Sequence, residues 1–560
     1  MAKGFNHRKH ELLFLPLGGS GEIGMNLNLY HYQGKWLVVD CGAGFAEDFM
    51  PGIDMIVPDV RFIHQIKKDI VGMVLTHAHE DHCGAVQYLW DEFECPVYTT
   101  AFPANFLKAK LAESGVPFSN RIPINEVPSS GSFDIGPFKI DLVQLTHSTP
   151  EMHALLIRTE YGNVFHTGDW KFDHDPLIGP KADEDLLKRI GDEGVLAFVG
   201  DSTNVFKEGE SGSEGDLRKS LTEIIGKCPQ MVAVATFASN VARIETIAHA
   251  AAAHGKKIVL AGRSLWRIVQ AAKESGYLTD VEFLDDRQAS KYPRKQLVLL
   301  CTGCQGEPLA MTNKLASGAH PTLKLLPGDT VIFASKIIPG NDKKIFRLFN
   351  KFVKMGVEII TEKDHFVHVS GHPAKDELKR MYELLRPTLA IPVHGEHAHM
   401  HEHAKEALVW GAKQAIEVEN GNVVRLAPGT PEKTDVVEAG FLGIDGYYLL
   451  APDSQIMRMR RKLQNSGIVL VTLLMDSQDR LLADPIIKTP GALDPLEDRD
   501  FLETIVEEVS ESIKNDAKGR RKGQSKTDTI SNVARSAIRR CLRAETGKEP
   551  VIDVHIEWLS

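Results

Sequence analysis

Long apolar runs are missing from this chain of 560 residues. No stretch approaches the roughly 20 apolar residues needed to cross a bilayer, so no membrane partner is expected. Cysteine is scarce: the seven residues stand at positions 41, 83, 95, 228, 301, 304 and 541. An odd, scattered set makes no disulfide framework and fits reduced thiols in a cytosol. Cys301-Thr302-Gly303-Cys304 has CxxC spacing, but no second CxxC joins it to close a thiolate zinc site, so it reads as a strand-to-turn element. An excess of positive charge is missing too. Lys and Arg number 65 against 75 Asp and Glu, a formal net charge of −10. That excludes a chain that coats nucleic acid as a whole, and any polyanion must meet a local basic surface. Lys3, Arg8 and Lys9 precede Leu12–Leu17, but this apolar part is too short for a signal peptide, and a cytoplasmic location is expected. Internal repeats and long low-complexity tracts are also lacking. Apolar content of 43% and charged content of 25% are those of an ordinary globular protein.

What the chain does have is histidine placed after strands. Thr76-His77-Ala78-His79-Glu80-Asp81-His82 follows the apolar run Val71–Leu75. A strand end holds side chains rigidly, and the turn after it lets neighbouring residues converge on one point. Imidazoles with a carboxylate suit zinc, and also manganese or iron. With no thiolate in the cluster, an open catalytic site is expected rather than a closed structural one. The same grammar recurs three times: Ile140–Leu145 leads into Thr146-His147, Asn163–Phe165 into His166-Thr167-Gly168-Asp169, and Leu389–Val393 into His394-Gly395-Glu396. The later His397, His399, His401 and His403 fall too close to His394 to join the same site and read as a solvated helix start.

Residues 12 to about 205 alternate short apolar strands with helical stretches, which suggests a mixed sheet covered by helices, an α/β layered core. From 207 to 360 the alternation lengthens. Strands at Met231–Thr236, Lys257–Leu260, Gln296–Leu300 and Thr330–Ala334 alternate with helices near 240–253, 264–275 and 343–354, the pattern of a parallel sheet. The ligand grammar resumes only after it. The first domain is therefore expected to be interrupted by an insertion. The boundaries are 1–206 and 361–445 for the interrupted domain, 207–360 for the insert and 450–560 for a last α/β domain. That last domain opens on the basic cluster Arg458, Arg460, Arg461 and Lys462. It also carries Lys518-Gly519-Arg520-Arg521-Lys522-Gly523-Gln524-Ser525-Lys526, read equally as a solvated loop or a polyanion contact.

His77-x-His79-x-Asp81-His82 with His147, Asp169 and His394 resembles the metallo-β-lactamase superfamily. Asp201 in Gly200-Asp201-Ser202-Thr203-Asn204, His372 in His368-Val369-Ser370-Gly371-His372, and the insertion narrow the resemblance to its β-CASP group. Gly18–Asn26, Thr236–Asn240, Thr302–Pro308 and Pro339-Gly340-Asn341 make the whole length similar to the ribonuclease J family. Cys304 in place of an expected Ser, and Ile337-Ile338 before Pro339, depart from that pattern outside the ligands.

The resemblance implies an αββα sandwich interrupted by a β-CASP α/β domain and followed by a small C-terminal α/β domain. It implies two divalent ions per chain, zinc with manganese as the alternative. His77, His79 and His147 would hold one, Asp81, His82 and His394 the other, and Asp169 would bridge them. Such a pair acidifies a water and offsets charge on a phosphoryl group. His372, with Asp201 behind it, would be the general acid. It further implies RNA hydrolysis from a 5′-monophosphate end, with endonuclease ability, in RNA maturation and decay, by a homo-oligomer (dimer or tetramer). Ser239, Asn240, His368, Ser370 and Gly371 are the candidates to hold the terminal phosphate, since short polar groups and a glycine backbone approach a phosphate closely. Ser239 and Asn240 are equally read as capping the next helix. Glu22 and Asn26 would shape the site, or serve the turn. A hydrolase of small esters or thioesters with the same ligands, and a non-catalytic RNA-binding subunit, are the competing readings. The insert, Asp201 and His372 disfavour the first, and the full ligand set disfavours the second.

Overall fold

The apolar runs form strands buried on both faces: Leu12–Gly18, Leu27–Tyr32, Ala197–Asp201 and Leu389–Val393 are buried at every position. Strands of this kind need cover on each side, which a second sheet and a layer of helices supply. The computed structural model describes residues 9–47, 49–338, 340–516 and 525–559. Pro339, most of the basic segment 518–526, and Lys3 and Arg8 lie outside the described residues.

One sheet has eight strands in the order Glu432–Val436, Asn422–Ala427, Leu12–Gly18, Leu27–Tyr32, Lys35–Val39, Ile70–Val74, Val97–Thr99, Ile124–Glu126. A second has seven, in the order Gly131–Ile135, Phe138–Gln144, His153–Thr159, Gly162–His166, Ala197–Asp201, Leu389–Val393, Gln414–Ala415. They share one core, in which Phe14, Tyr30, Leu37 and Val74 cluster with Ile140, Leu155, Val199 and Ile391. Outside the second sheet, Leu187, Leu378, Met381 and Ala407 of the helices Glu184–Glu193, Lys375–Leu385 and His397–Val409 pack with Leu145, Leu156, Phe165 and Phe198. The helices Val86–Phe93 and Ala101–Ser114, which follow strands of the first sheet, bury Leu89, Phe102 and Leu107. This is the αββα sandwich implied by the sequence.

The chain leaves the sandwich after Ala197–Asp201 and returns at Leu389–Val393, the two lying parallel with Asp201 opposite Val393. Between them a separate six-stranded sheet forms in the order Phe283–Leu284, Lys257–Ala261, Leu297–Cys301, Val232–Ala235, Thr330–Phe333, Glu358–Ile360. All its pairings are parallel. Cys301 and Cys304 are buried in its core, which suits a strand-to-turn element.

By packing, the chain forms two compact units: one runs to Gly44 and from Val57 to Phe441, the other takes Phe45–Ile56 and the chain from Leu442. In the second unit the sheet Ile486–Lys488, Ile468–Met475, Val551–Trp558 is covered by the helices Arg499–Asp516 and Lys526–Thr546, through Ile505, Val509 and Ile538 on Val469 and Leu473. Within the basic cluster of this unit, Arg460 pairs with Asp445 at 2.6 Å. Among the described residues no helix is long and apolar enough to cross a membrane.

Candidate metal centre

Strand ends of both sheets deliver the ligand candidates to one place. Ile70–Val74 runs into His77 and His79, and His79 caps the short helix Glu80–Cys83 that carries Asp81 and His82. His147 follows Phe138–Gln144, Asp169 follows Gly162–His166, and His394 follows Leu389–Val393 in a left-handed conformation, φ 51°. Glycine is demanded at Gly42, where a Cβ would lie 1.7 Å from the carbonyl oxygen of Asp81.

The side chains converge as two groups that share Asp169: His77, His79, His147 and Asp169, and Asp81, His82, Asp169 and His394, the ligand atoms of each within 4.8 Å of one another. Each carboxylate oxygen of Asp169 serves one group. Oδ2 lies 3.8 Å from His77 Nε2 and 3.8 Å from His147 Nε2, while Oδ1 lies 3.1 Å from His82 Nε2 and 3.5 Å from His394 Nε2. Asp81 Oδ2 is 3.7 Å from His82 Nε2 and 3.8 Å from His394 Nε2.

The donor set fits cations. Burial, helped by neighbouring imidazoles, holds His77 and His147 well below the usual histidine range, and burial takes His79 down to about 4 against the pull of Asp81 and Asp169. Neutral rings turn lone pairs inward. His77 Nε2 is buried with no hydrogen-bond partner among the described residues. His82 goes the other way. Burial opposes its protonation, but Asp169, Asp40 and Asp81 outweigh it and raise the ring well above its ordinary value, so the carboxylates here call for positive charge.

Hydrogen bonds behind the cluster decide which ring nitrogen faces it. His82 Nδ1 donates to Asp40 Oδ2 at 2.7 Å. His77 Nδ1 donates to Thr76 Oγ1 at 3.0 Å, and that hydroxyl donates to Asp40 Oδ2 at 2.9 Å. His147 Nδ1 donates to the carbonyl of Gly371 at 2.6 Å, and His394 Nδ1 faces the Asn26 amide, 2.8 Å from Nδ2 and 3.0 Å from Oδ1. Such partners fix tautomer and orientation. Asp40, buried and anchoring two rings, was missed in the sequence. Its only signal is that it closes the apolar run Trp36–Val39 as the ligands close theirs. Asn26 bonds His394 within the cluster, while Glu22 accepts from Gly19 N in the turn and from Asn420 Nδ2. His166 stands outside both groups and bonds the Tyr30 hydroxyl at 2.9 Å. None of His397, His399, His401 and His403 joins them either. His403 is not solvated: it is buried between Ser202 Oγ and the Tyr382 hydroxyl, at 2.9 and 3.0 Å, because its helix packs on the sheet.

Beside the cluster, His372 Nδ1 donates to Asp201 Oδ2 at 2.7 Å. Its ring stacks on that of His394 at 5.5 Å. Burial opposes its charge, but Asp201 and Asp169 outweigh this and push it up to about 9. Its side chain is 23% exposed, so it reaches solvent while Asp201 does not.

The phosphate candidates stand on two segments, 239–240 and 368–371, with Arg243 between them as a seam. Asn240 Oδ1 accepts from Arg243 N at 2.8 Å and so caps the helix Val241–Ala253. Ser239 is half-buried beside it. Ser370 Oγ accepts from Asn204 Nδ2 at 2.7 Å and from His372 N at 3.1 Å. At Gly371 a Cβ would stand 2.6 Å from His147 Cε1, so only glycine lets the two approach. His368 has a buried Nδ1 with no partner among the described residues. Burial, then Arg243, Lys207, Lys336 and Lys171, hold its pKa well below the ordinary value, which marks a locally positive region. Arg243 was also missed. Fully buried, it pairs with Glu214 at 2.8 Å and donates to the carbonyls of Ala334, Val367 and Val369 at 2.6, 3.5 and 3.4 Å, tying the insert to the segment that ends in His372.

Known proteins share this arrangement of domains. Residues 26–226 match the model of the metallo-beta-lactamase superfamily, 229–352 that of the ribonuclease J beta-CASP domain, 356–419 that of the Zn-dependent metallo-hydrolase RNA specificity domain, and 455–557 that of the ribonuclease J C-terminal domain. The chain is 39% identical to ribonuclease J of Sinorhizobium meliloti over 98% of its own length and 97% of that protein's. It is 32% identical to ribonuclease J of Thermus thermophilus, over 96% and 94%, and 32% identical to ribonuclease J2 of Bacillus subtilis, over 96% and 97%. Among solved structures, a protein of unknown function from Enterococcus faecalis superposes with a TM-score of 0.53 at 16% identity, covering 74% of this chain and 100% of that one, a likeness of fold. Sandwich, insert and C-terminal domain thus occur here in the order of those relatives, and the chain belongs to the ribonuclease J family.

Proposed function

We propose that this metal-dependent ribonuclease degrades RNA from the 5′ end, prefers a 5′-monophosphate, and also cuts internally. The division of Asp169, one oxygen to each set of imidazoles, carries the reading of a dinuclear site. His77, His79 and His147 would hold one ion and Asp81, His82 and His394 the other, with Asp169 common to both. When bound, the ions, zinc or manganese, supply an acidified water and positive charge opposite the phosphoryl oxygens.

The protein's own groups do the rest. Asp40 and Asn26 keep the ring nitrogens turned inward. Asp201 holds His372 through Nδ1, which leaves the Nε2 proton free for the departing ribose oxygen. Asp201, which raises the ring's pKa against burial, favours the protonated form that this role needs. The amide of Asn240, Ser239, His368, Ser370 and the backbone at Gly371 would receive the terminal phosphate, supported by the cations that surround His368.

We further place the domain boundaries at 1–206, 207–360, 361–445 and 450–560, and assign a cytoplasmic homo-oligomer, dimer or tetramer, whose mass light scattering would measure. End-labelled RNA bearing a 5′-monophosphate or a 5′-triphosphate tests the activity. The protein, stripped of metal and reloaded with zinc or manganese, should release mononucleotides from the first faster than from the second. Equal rates would remove the phosphate pocket, and activity that survives complete metal removal would remove the ions.

A further inference from the structure

The helix Asp342–Lys354 lies in the insert and buries Ile345, Leu348 and Phe352. Its outer face carries Lys343, Lys344, Arg347, Lys351 and Lys354, all exposed, in a chain whose formal net charge is −10. Asp342 is its single acid. Among the described residues Lys343, Lys344, Arg347 and Lys354 have no ion-pair partner, and Lys351 donates only to Asn313 Oδ1, at 3.2 Å. Lys343, Arg347 and Lys351 stand four residues apart and repel one another, a cost that folding alone does not require. Between these cations Phe346 is 50% exposed and Val353 63%. The Phe346 ring is held edge-on against Phe349 at 6.0 Å, and Phe349 in turn against Phe333 at 4.7 Å, so a flat apolar surface is fixed among exposed cations.

The helix is joined to the candidate phosphate seam by a short run of backbone. Arg243 Nη1 donates to Ala334 and to Val367, which brings the start of 334–338 beside the chain at His368. Gln305 then braces that segment. Its Nε2 donates to the carbonyl of Lys336 at 2.9 Å, and its Oε1 accepts from Ile338 N and from Asn341 Nδ2 at 3.0 and 3.3 Å. Asn341 is the residue that opens the helix, and Lys336 is exposed on the way to it.

We propose that Lys336 and the exposed face of Asp342–Lys354 form a docking surface for the body of a single-stranded RNA whose 5′ end occupies the site. Unpaired cations bind phosphates along a strand, and an exposed aromatic ring stacks a base without reading its sequence. The placement of the 5′ end rests on the function proposed above, and the length dependence of the test separates the two.

Affinity for 5-nucleotide and 30-nucleotide 5′-phosphorylated RNA is measured by fluorescence anisotropy in an Asp169→Ala background, which should not cut. Replacing Lys344, Arg347 and Lys351 together by Gln should weaken binding of the long RNA by about 10-fold or more and reduce its salt slope by roughly 2, as about 0.7 per lost phosphate contact requires. Phe346→Ala should weaken it by about 5-fold or more. With Asp169 restored, the triple Gln variant should hydrolyse the short RNA at the wild-type rate, which also shows that it folds. The charge-keeping set Lys344→Arg, Arg347→Lys, Lys351→Arg should restore the long-RNA affinity. Unchanged affinity and slope, an equal loss with the short RNA, or no rescue by the charge-keeping set would each overturn the proposal, whatever else the face binds. Failure of the wild-type chain to cut the short RNA would count against the reading of the site, while the long-RNA affinities would still decide the helix.

Discussion

In the sandwich the strands Phe138–Gln144, Gly162–His166, Ala197–Asp201 and Leu389–Val393 end at or lead into His147, Asp169, Asp201 and His394. In the inserted sheet the strands Val232–Ala235, Leu297–Cys301 and Thr330–Phe333 lead into Thr236-Phe237, Thr302-Gly303 and Ala334-Ser335. Both regions are built on buried apolar strands, partly antiparallel in the sandwich and wholly parallel in the insert. The difference lies in what the strand ends carry: imidazoles and carboxylates in one, uncharged residues in the other. The insert contributes a cap, a buried arginine and a basic helix, and under the proposed function the two regions divide chemistry from the handling of the substrate.

The sharpest way to break that division is Asp169→Ala. Loss of one positioned electrostatic group costs roughly 10²–10³-fold. Asp169 serves both sets of imidazoles, so RNA hydrolysis should fall by about 10³-fold or more, with metal content, measured by mass spectrometry, falling as well. His372→Ala should cost about 10²–10⁴-fold in rate while metal content stays whole. A parallel loss of metal would make His372 a ligand and not an acid. Glu214→Gln leaves the buried Arg243 without its counter-charge and should destabilise the protein by about 3–5 kcal/mol in urea unfolding. A smaller loss would mean that the insert is tied down elsewhere. Asp40→Asn should weaken metal binding by about 10–100-fold in a competition titration, because His82 and His77 lose their common anchor. The smallest effect is expected at Asn240, where Asn240→Ala removes a helix cap worth about 1 kcal/mol. If its amide also meets the phosphate, the preference for a 5′-monophosphate should shrink beyond what that loss of stability explains.

The ligand cluster was legible because each member follows an apolar run, and a doubly buried strand can be seen in the sequence as an unbroken stretch of such residues. The interruption was legible for the same reason: the grammar stops at Asp201 and resumes near His368. Asp40 follows the grammar but stands alone, well upstream of the two rings it anchors, and nothing nearby marks it. Arg243 has no signal at all, since an arginine on a helix reads as a solvated charge until its burial is seen. His403 misled in the opposite sense. One histidine among four in a polar-looking helix start gave no hint that a single face of that helix packs on a sheet.

The sequence by itself determined which strands exist, that a second domain interrupts the first, and which side chains are able to hold a cation, because burial and ligand chemistry depend on residue type and local order. Only the tertiary structure decided that Asp169 turns one oxygen to each set of imidazoles, that Asp40 stands behind two of them, and that Arg243 brings Ala334 together with Val367. Those are relations between points far apart along the chain, and they arise only when buried surfaces pack and bring the strand ends together.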